Sequence, residues 1–246
     1  MTATVIVAIV AGMCLGGFVQ GLSGFAFGLV AMSIWAWTIE PQLAGPMVVW
    51  GSWIGQLLSL GAVRGPSMAR RALPFVLGGA AGVPLGAWLL QYINVTMFRG
   101  GVGLVLIVYC AAMLGASRLP VVRWGGRALD AAAGAAGGVM GGLGGLTGPV
   151  PTLWCTLRGW DKDAQRGVFQ IFNLSMHSLT LALYLANGTL TAAMIPAFAL
   201  MVPLAIVPTL LGVWVYRRVD ERAFRRIVLG LLLGSGVALA GSVLVS

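Results

Sequence analysis

Long apolar segments, separated by short polar loops, make up nearly the whole chain. They run from Val5 to Trp37, Met47 to Ala62, Leu73 to Leu90, Val102 to Leu114, Ala128 to Leu157, Gly167 to Ala186, Leu190 to Val215 and Ile227 to Leu244. A lipid bilayer offers no hydrogen-bond partner to unpaired backbone groups, so every segment is predicted to be helical. The pattern therefore predicts an all-α, polytopic bundle of transmembrane helices.

The first and fifth segments are each interrupted by a glycine-rich sequence, and the two interruptions resemble each other. The first reads GLSGFAFG at 21–28 and the second reads GLGGLTGP at 142–149. Carried forward unchanged, the register that aligns these sequences also pairs Ser52 with Asn173. We interpret this as an internal duplication. The predicted organisation is a first transmembrane repeat at 1–116, an Arg-rich cytoplasmic linker at 117–127 and a second transmembrane repeat at 128–246.

Basic residues are distributed differently over corresponding loops of the two repeats. The loops at Glu40 and Asn187 lack basic residues, whereas the loops at 64–71, 158–166 and 217–226 are basic, as is the linker. Short cytoplasmic loops collect Lys and Arg, so loops at corresponding positions are predicted on opposite faces of the membrane. That is the pattern of an inverted repeat. Four apolar segments per repeat fit this pattern if the first segment of each repeat is re-entrant and three full spans follow. The alternative, a plain eight-span arrangement, would leave either the linker or the basic loop at 217–226 outside.

Composition narrows the class of protein further. The chain is 59% hydrophobic and 9% charged, with mean hydropathy +0.96, whereas soluble domains carry about 25% charged residues. We expect a multi-pass protein of the cell membrane. The net charge of +9 does not indicate nucleic-acid binding, because the basic residues lie in loops between spans. The three cysteines show no metal-ligand or disulfide spacing, and neither a cofactor nor a metal is expected. A homo-oligomer is left open.

The glycine-rich breaks are the first candidate for chemistry. Glycine and proline in quick succession unwind a helix, and the freed backbone groups are tolerated in a membrane only within protein or along a polar cavity. Helices that restart near 25–28 and 147–150 would present N-termini, which carry about half a positive charge and unpaired N–H donors. Two such ends would bind a small anion. The alternative is close helix packing through Gly17 and Gly21, or Gly141 and Gly145.

Polar residues within apolar spans are the second candidate. Gln170, Asn173 and His177 have the spacing of one helix face, and Ser52 and Gln56 lie on the corresponding first-repeat helix. Such residues usually face the bundle interior, where they line a pathway or simply join helices by hydrogen bonds. His177 is the only histidine and is a candidate to bind an anion or relay a proton.

These two features together define the predicted substrate-binding residues. They are Gln20, Ser23, Gly24, Phe25, Gly28, Ser52, Gln56, Gly145, Thr147, Gly148, Gln170, Asn173 and His177. The arginines, including Arg99 and Arg166, are interpreted instead as topology determinants and lipid-headgroup contacts. The predicted partners are a small anionic substrate, bound without a buried arginine, and the lipid bilayer.

An intramembrane serine protease is the alternative from a different class of function. Ser23 lies in a GxSG sequence, and His177 could act as its base, which superficially resembles the dyad of rhomboid proteases. Against this, the residue that aligns with Ser23 in the second repeat is Gly144. The glycine frame therefore recurs without a nucleophile, and we expect no enzyme activity.

The sequence GFVQGLSGF at 17–25 and the glycine-rich stretch at 138–151 together resemble the TauE/SafE family of membrane permeases. The resemblance covers nearly the whole chain. It implies transport of a sulfur-containing anion such as sulfite or an organosulfonate. Family members often carry three consecutive glycines after this element, and their absence here implies a bulkier cavity lining. We expect a secondary transporter that works by alternating access, with an anion channel or a non-transporting scaffold as alternatives.

Overall fold

The computed structural model describes residues 3–59, 66–115, 121–216, 218 and 221–245. Helices form the architecture of this part of the chain. They are α1 Ala3–Ser23, α2 Phe27–Trp35, α3 Pro41–Leu58, α4 Pro66–Leu90, α5 Val95–Gly115, α6 Gly126–Gly144, α7 Pro149–Leu157, α8 Lys162–Ala186, α9 Ile195–Tyr216 and α10 Glu221–Val245, with a 3₁₀ turn at Ala192–Met194. Ala62, Arg64, Arg217 and linker residues 117–120, which the sequence interpretation used, lie outside the described residues.

The prediction of an all-α membrane protein is confirmed. Five stretches of the described chain are helical, long and apolar enough to cross a membrane: Ala3–Ser23, Met68–Leu90, Val95–Gly115, Asp163–Ala186 and Ala192–Tyr216. Several helices begin up to two turns before the apolar segment that predicted them, as α4 and α5 do. The first turns of these helices carry polar or basic residues, and hydropathy alone predicts such residues to be loop.

The two interrupted segments form helical hairpins. In the first hairpin, α2 runs back along α1, so that the Trp35 indole N–H donates to the Ala8 carbonyl at 2.8 Å. In the second hairpin, α7 runs back along α6, and the Trp154 indole N–H donates to the Asp130 carboxylate at 2.7 Å. Each short helix has nine residues. Hairpins of this shape support the prediction that both segments are re-entrant, which stays a prediction.

The hairpin turns occur at aligned positions of the two repeats. Gly24 has φ +86° and Gly145 has φ +71°, a left-handed conformation that residues with a Cβ rarely adopt. The register that aligns them also pairs Glu40 with Asp161, and these residues immediately precede α3 and α8. The aligned positions therefore share their local geometry, which supports the predicted duplication.

Corresponding helices of the two repeats run antiparallel where they meet. Between α3 and α8, Gln170 Nε2 donates to the Gln56 carbonyl and Trp53 Nε1 donates to Ser178 Oγ. Between α5 and α10, a side chain at Gly103 would contact the backbone at Gly236 and Ala240. Antiparallel counterparts are what an inverted repeat requires. The geometry supports that prediction, and the orientation of each repeat in a bilayer stays a prediction.

The closest contacts of the hairpins join a helix of one repeat to a helix of the other. A Cβ at Gly138 on α6 would overlap the Gly79 carbonyl on α4, and a Cβ at Gly21 on α1 would overlap the Thr209 carbonyl on α9. Each hairpin therefore packs on a helix from the other repeat. Gly21 serves close packing, as the alternative interpretation of the glycines held, whereas Gly24 and Gly145 make turns.

Replacing Gly138 with Ala tests the α4–α6 contact. The added methyl group must displace backbone, so we expect the free energy of unfolding to fall by about 1–3 kcal/mol. Gly101→Ala is the matched control, because beyond its own helix turn and chain neighbours no described atom lies within 4 Å of a Cβ at Gly101. Thermal unfolding in detergent measures both. Equal unfolding temperatures for the two variants would contradict the packing described for α4 and α6.

The corresponding exposed residues Glu40 and Asp161 test the inverted orientation. In a background in which Cys14, Cys110 and Cys155 are replaced by Ala, we expect Glu40→Cys to react with an impermeant thiol reagent added outside the cell. Asp161→Cys should react only after the membrane is permeabilised, because its loop is basic. Labelling of both positions from the same side would refute the inverted repeat.

Candidate functional site

The tips of the two hairpins meet inside the bundle. A Cβ at Gly148 would lie 2.5 Å from Cδ2 of Phe25, and a Cβ at Gly28 would lie 3.0 Å from the Gly145 carbonyl oxygen. The N-terminal turns of α2 and α7 begin at this contact. Neither N-cap residue, Ala26 or Gly148, provides a side-chain hydrogen bond. Two uncapped helix N-termini therefore lie side by side among buried residues.

Backbone N–H groups at the turns themselves are already used within each hairpin. Gly24 N donates to the Gln20 carbonyl at 2.6 Å, and Gly145 N donates to the Gly141 carbonyl at 2.7 Å. Ser23 Oγ accepts hydrogen bonds from the backbone N–H groups of Phe25 at 3.4 Å and Ala26 at 3.2 Å. Ser23 therefore stabilises the first turn.

Donors for a ligand must then come from the first turns of α2 and α7. The first N–H groups of a helix have no acceptor within that helix. In α2 they belong to residues 27–29, but in α7 Pro149 and Pro151 have no N–H. The first hairpin consequently offers more backbone donors than the second, and α2 and α7 begin within the ranges 25–28 and 147–150 that the sequence predicted.

The predicted residues fall into two groups around the tips. A first-tip group comprises Gln20, Ser23, Gly24, Phe25, Ser52, Gln56 and Gln170, and a second-tip group comprises Gly28, Gly145, Thr147, Gly148, Asn173 and His177. Phe25 lies between the groups. Its ring makes edge contacts with Phe169 at 5.5 Å and Tyr109 at 6.2 Å between centroids.

Amide side chains of the first-tip group donate to backbone carbonyls. Gln20 Nε2 donates to the Ser52 carbonyl at 2.9 Å, and Gln56 Nε2 donates to the Gly24 carbonyl at 2.9 Å. Both glutamines are 1% exposed. These hydrogen bonds tie α3 to α1 and to the first turn. The first-tip group therefore supplies hydrogen bonds to backbone carbonyls at and near the helix break, in addition to any contact with a ligand.

Arg166 is a buried residue of this site, and its interpretation as a loop topology determinant is wrong. It lies in the second turn of α8, is 7% exposed, and donates to the carbonyls of Gly21 and Leu22 at 2.9 and 3.0 Å. Its guanidinium carbon also lies 4.2 Å from the centroid of the Tyr216 ring. A buried positive charge, which the sequence interpretation did not include, therefore lies beside the turn of the first hairpin.

Arg99 has a comparable role at the other end of the first hairpin. Its Nε donates to the Ala36 carbonyl at 2.9 Å and its Nη2 donates to the Trp37 carbonyl at 3.0 Å. These carbonyls follow the last turn of α2, where acceptors have no partner within the helix. Arg99 is thus a structural cap for α2, remote from the tips.

The second-tip group contains buried polar atoms without a protein partner. Thr147 Oγ1 donates to Asn173 Oδ1 at 2.7 Å and lies 3.4 Å from His177 Nε2. Within the described part of the chain, Asn173 Nδ2 and His177 Nδ1 have no hydrogen-bond partner. All three side chains are at most 2% exposed. Buried polar atoms of this kind call for a water or ligand, so these nitrogen atoms are candidates to contact the cargo.

The polar face of α8 is longer than the sequence interpretation recognised. Arg166 and Thr180 continue the spacing of Gln170, Asn173 and His177, and Thr180 is completely buried. The periodic spacing of three and four residues was visible in the sequence and could have identified both. Threonine was overlooked because it is common in apolar helices, and Arg166 because it follows a basic loop.

Ser23 and His177 belong to different groups and share no hydrogen bond in the described structure. Ser23 Oγ contacts the backbone of the first turn, whereas His177 contacts Thr147. A serine nucleophile requires its base within hydrogen-bond reach. The geometry gives no support to the serine protease alternative.

Comparison with known proteins identifies the family. No curated protein and no solved structure matched the chain. The profile of the family described as sulfite exporter TauE/SafE matches residues 8–239, which include both hairpins and the polar faces of α3 and α8. Because this match covers nearly the whole chain, the protein belongs to the sulfite exporter TauE/SafE family.

Proposed function

We propose that this protein is a secondary transporter that carries a small sulfur-containing anion, such as sulfite or an organosulfonate, at the contact between the two hairpin tips. Membership of a sulfite exporter family supports the class of cargo. Helices long enough to cross a membrane support the location. The site and the mechanism rest on the geometry of the tips.

The meeting of two uncapped helix N-termini carries this proposal. Each N-terminus contributes about half a positive charge and unpaired N–H groups, and the interior of the bundle keeps water from competing for them. The oxygen atoms of a sulfite or sulfonate accept several hydrogen bonds at once. An anion held by the first turn of α2 and by Val150 N of α7 would therefore be stabilised by both hairpins.

Side chains of the second-tip group would complete the coordination. Asn173 Nδ2 provides an N–H donor without a protein partner, and Thr147 lies within hydrogen-bond distance of both Asn173 and His177. Arg166 adds a positive charge on the other side of the tips. Buried donors stabilise a charged ligand more strongly than exposed donors do, because the local dielectric constant is low.

Alternating access would come from movement of two mixed units, each made of one hairpin and the helix of the other repeat on which it packs. The closest contacts of the hairpins join α1 with α9, and α6 with α4. We infer that each hairpin moves with the helix from the other repeat on which it packs. Such movement would separate Phe25 from Gly148 and open the site to one face at a time.

An anion channel remains the second candidate, and Phe25 distinguishes it from a carrier. The Phe25 ring fills the contact between the tips, so in a carrier it acts as a barrier to free passage. We expect Phe25→Ala to add an uncoupled sulfite leak in proteoliposomes. Phe198→Ala is the control, because Phe198 also stacks on an aromatic ring, that of Trp50, but away from the tips. Steady ionic currents through the wild-type protein would favour a channel instead.

Asn173→Asp tests the binding site directly. The substitution keeps the oxygen that accepts from Thr147 and replaces the donor nitrogen by an acceptor. Loss of one hydrogen bond to a charged group costs about 1.5–3 kcal/mol, and a carboxylate at this position would in addition repel an anion. The KM for sulfite in proteoliposomes should therefore rise by about 10- to 100-fold.

Thr209→Val is the matched control for this experiment. Thr209 is also completely buried, and its Oγ1 also has no hydrogen-bond partner in the described structure, but it lies at the α1–α9 contact. Its KM should match that of the wild type. An unchanged KM in folded Asn173→Asp protein would refute the proposed site, and no sulfite flux in any variant would refute the proposed function.

A further inference from the structure

A basic cleft lies at the base of the second hairpin, far from the tips. Its volume is about 480 Å³. The lining residues are Arg70, Arg71, Pro74, Arg127, Asp130, Arg158, Gly159, Trp160 and Asp161. They come from the N-terminal parts of α4 and α6 and from residues 158–161, which connect α7 to α8. About 22 Å of helix separates Asp130 from the turn at Gly145, so the cleft is distinct from the proposed transport site.

Positive charge dominates this cleft. Its two carboxylates are engaged, because Asp130 pairs with Arg158 at 3.5 Å and the Asp161 carboxylate accepts from Ala164 N at 2.9 Å. The Ala164 hydrogen bond holds the pKa of Asp161 below its usual range, so this carboxylate stays charged.

Three arginines of the cleft are available to a ligand. Arg70, Arg71 and Arg127 are exposed, and among the residues that the structure describes they form no ion pair. Their guanidinium groups are suited to phosphate oxygens, which they bind through paired N–H donors. A phosphate group is therefore the ligand chemistry that matches the cleft.

Tryptophan rings place the cleft at the depth of lipid headgroups. The guanidinium carbons of Arg71 and Arg158 lie 5.7 and 6.0 Å from the centroid of the Trp160 ring. The guanidinium carbon of Arg158 also lies 5.7 Å from the centroid of the Trp154 ring. Tryptophan and arginine gather where transmembrane helices leave the apolar core of the bilayer.

An apolar surface continues from the cleft along α4. Leu73 and Leu77 follow Arg70 at three and seven residues, and so lie on the same helix face. They are 53% and 63% exposed. A free phosphate would make no use of this surface, whereas an acyl chain below a phosphate group would cover it.

We propose that the cleft binds an anionic phospholipid. Its phosphate would lie among Arg70, Arg71 and Arg127, and one acyl chain would lie along Leu73 and Leu77. The lipid would bridge α4 and the base of the second hairpin. It would therefore stabilise one of the two mixed units described above, without contacting the cargo.

Thermal unfolding of the full chain in detergent tests the lipid site. Phosphatidylglycerol should raise the unfolding temperature, whereas phosphatidylcholine and inorganic phosphate should not. In the Arg71→Gln/Arg127→Gln variant, the phosphatidylglycerol concentration for half of this shift should rise by about 10- to 30-fold, since each basic residue contributes to binding of an anionic membrane lipid.

Arg123→Gln/Arg218→Gln is the matched control, because it removes the same charge from exposed residues that do not line the cleft. It should respond to phosphatidylglycerol as the wild type does. An equal loss in this control would show bulk charge attraction and overturn the site. An equal shift with inorganic phosphate would assign the cleft to a soluble anion and overturn the lipid.

Native mass spectrometry of the wild-type protein gives a second measurement that does not depend on the folding of any variant. Phosphatidylglycerol should be retained in preference to phosphatidylcholine. Equal retention of the two lipids would overturn the proposal. Sulfite flux is not a readout in either experiment, so failure of the lipid site is distinguishable from failure of the transport site.

Discussion

A break in a membrane helix leaves backbone groups with no water to pair with, and this constraint organises the whole protein. The carbonyl of Gly24 accepts from Gln56, and the carbonyls of Gly21 and Leu22 accept from Arg166. Tyr184 performs the same task for Gly142. The helices α3 and α8 carry polar faces chiefly because they must satisfy the two hairpins. Polar atoms that find no partner among the described residues, such as Asn173 Nδ2, are the ones that we propose contact a cargo.

Glycine has two separate physical roles in this chain. At Gly24 and Gly145 it permits a left-handed backbone, and at Gly21 and Gly138 it lets the backbones of two helices touch. The second role links each hairpin to a helix of the other repeat. The most closely packed helices therefore form units that each combine helices of both predicted repeats. The lipid proposed at the base of the second hairpin would act on one such unit.

Several features of the site were predictable because they depend on local sequence. The aligned breaks placed the turns correctly, and the spacing of Gln170, Asn173 and His177 placed one helix face against the tips. Arg166 was missed because a basic residue after a basic loop is usually a topology signal. Its contact with Gly21 and Leu22 joins residues about 145 positions apart, and no local pattern predicts such a contact.

The amino-acid sequence by itself determined that the chain lies in a membrane and where its helices break, and it predicts that the chain is duplicated. Hydropathy and glycine content are local properties of the sequence, and the register comes from aligning two of its segments. All three can therefore be read without knowing which helices pack together. Only the tertiary structure decided which donors remain unpaired, that a positive charge is buried beside the first tip, and that Phe25 lies between the hairpins. Those outcomes depend on which distant helices pack together, because a neighbouring helix can either satisfy a polar group or leave it for a ligand.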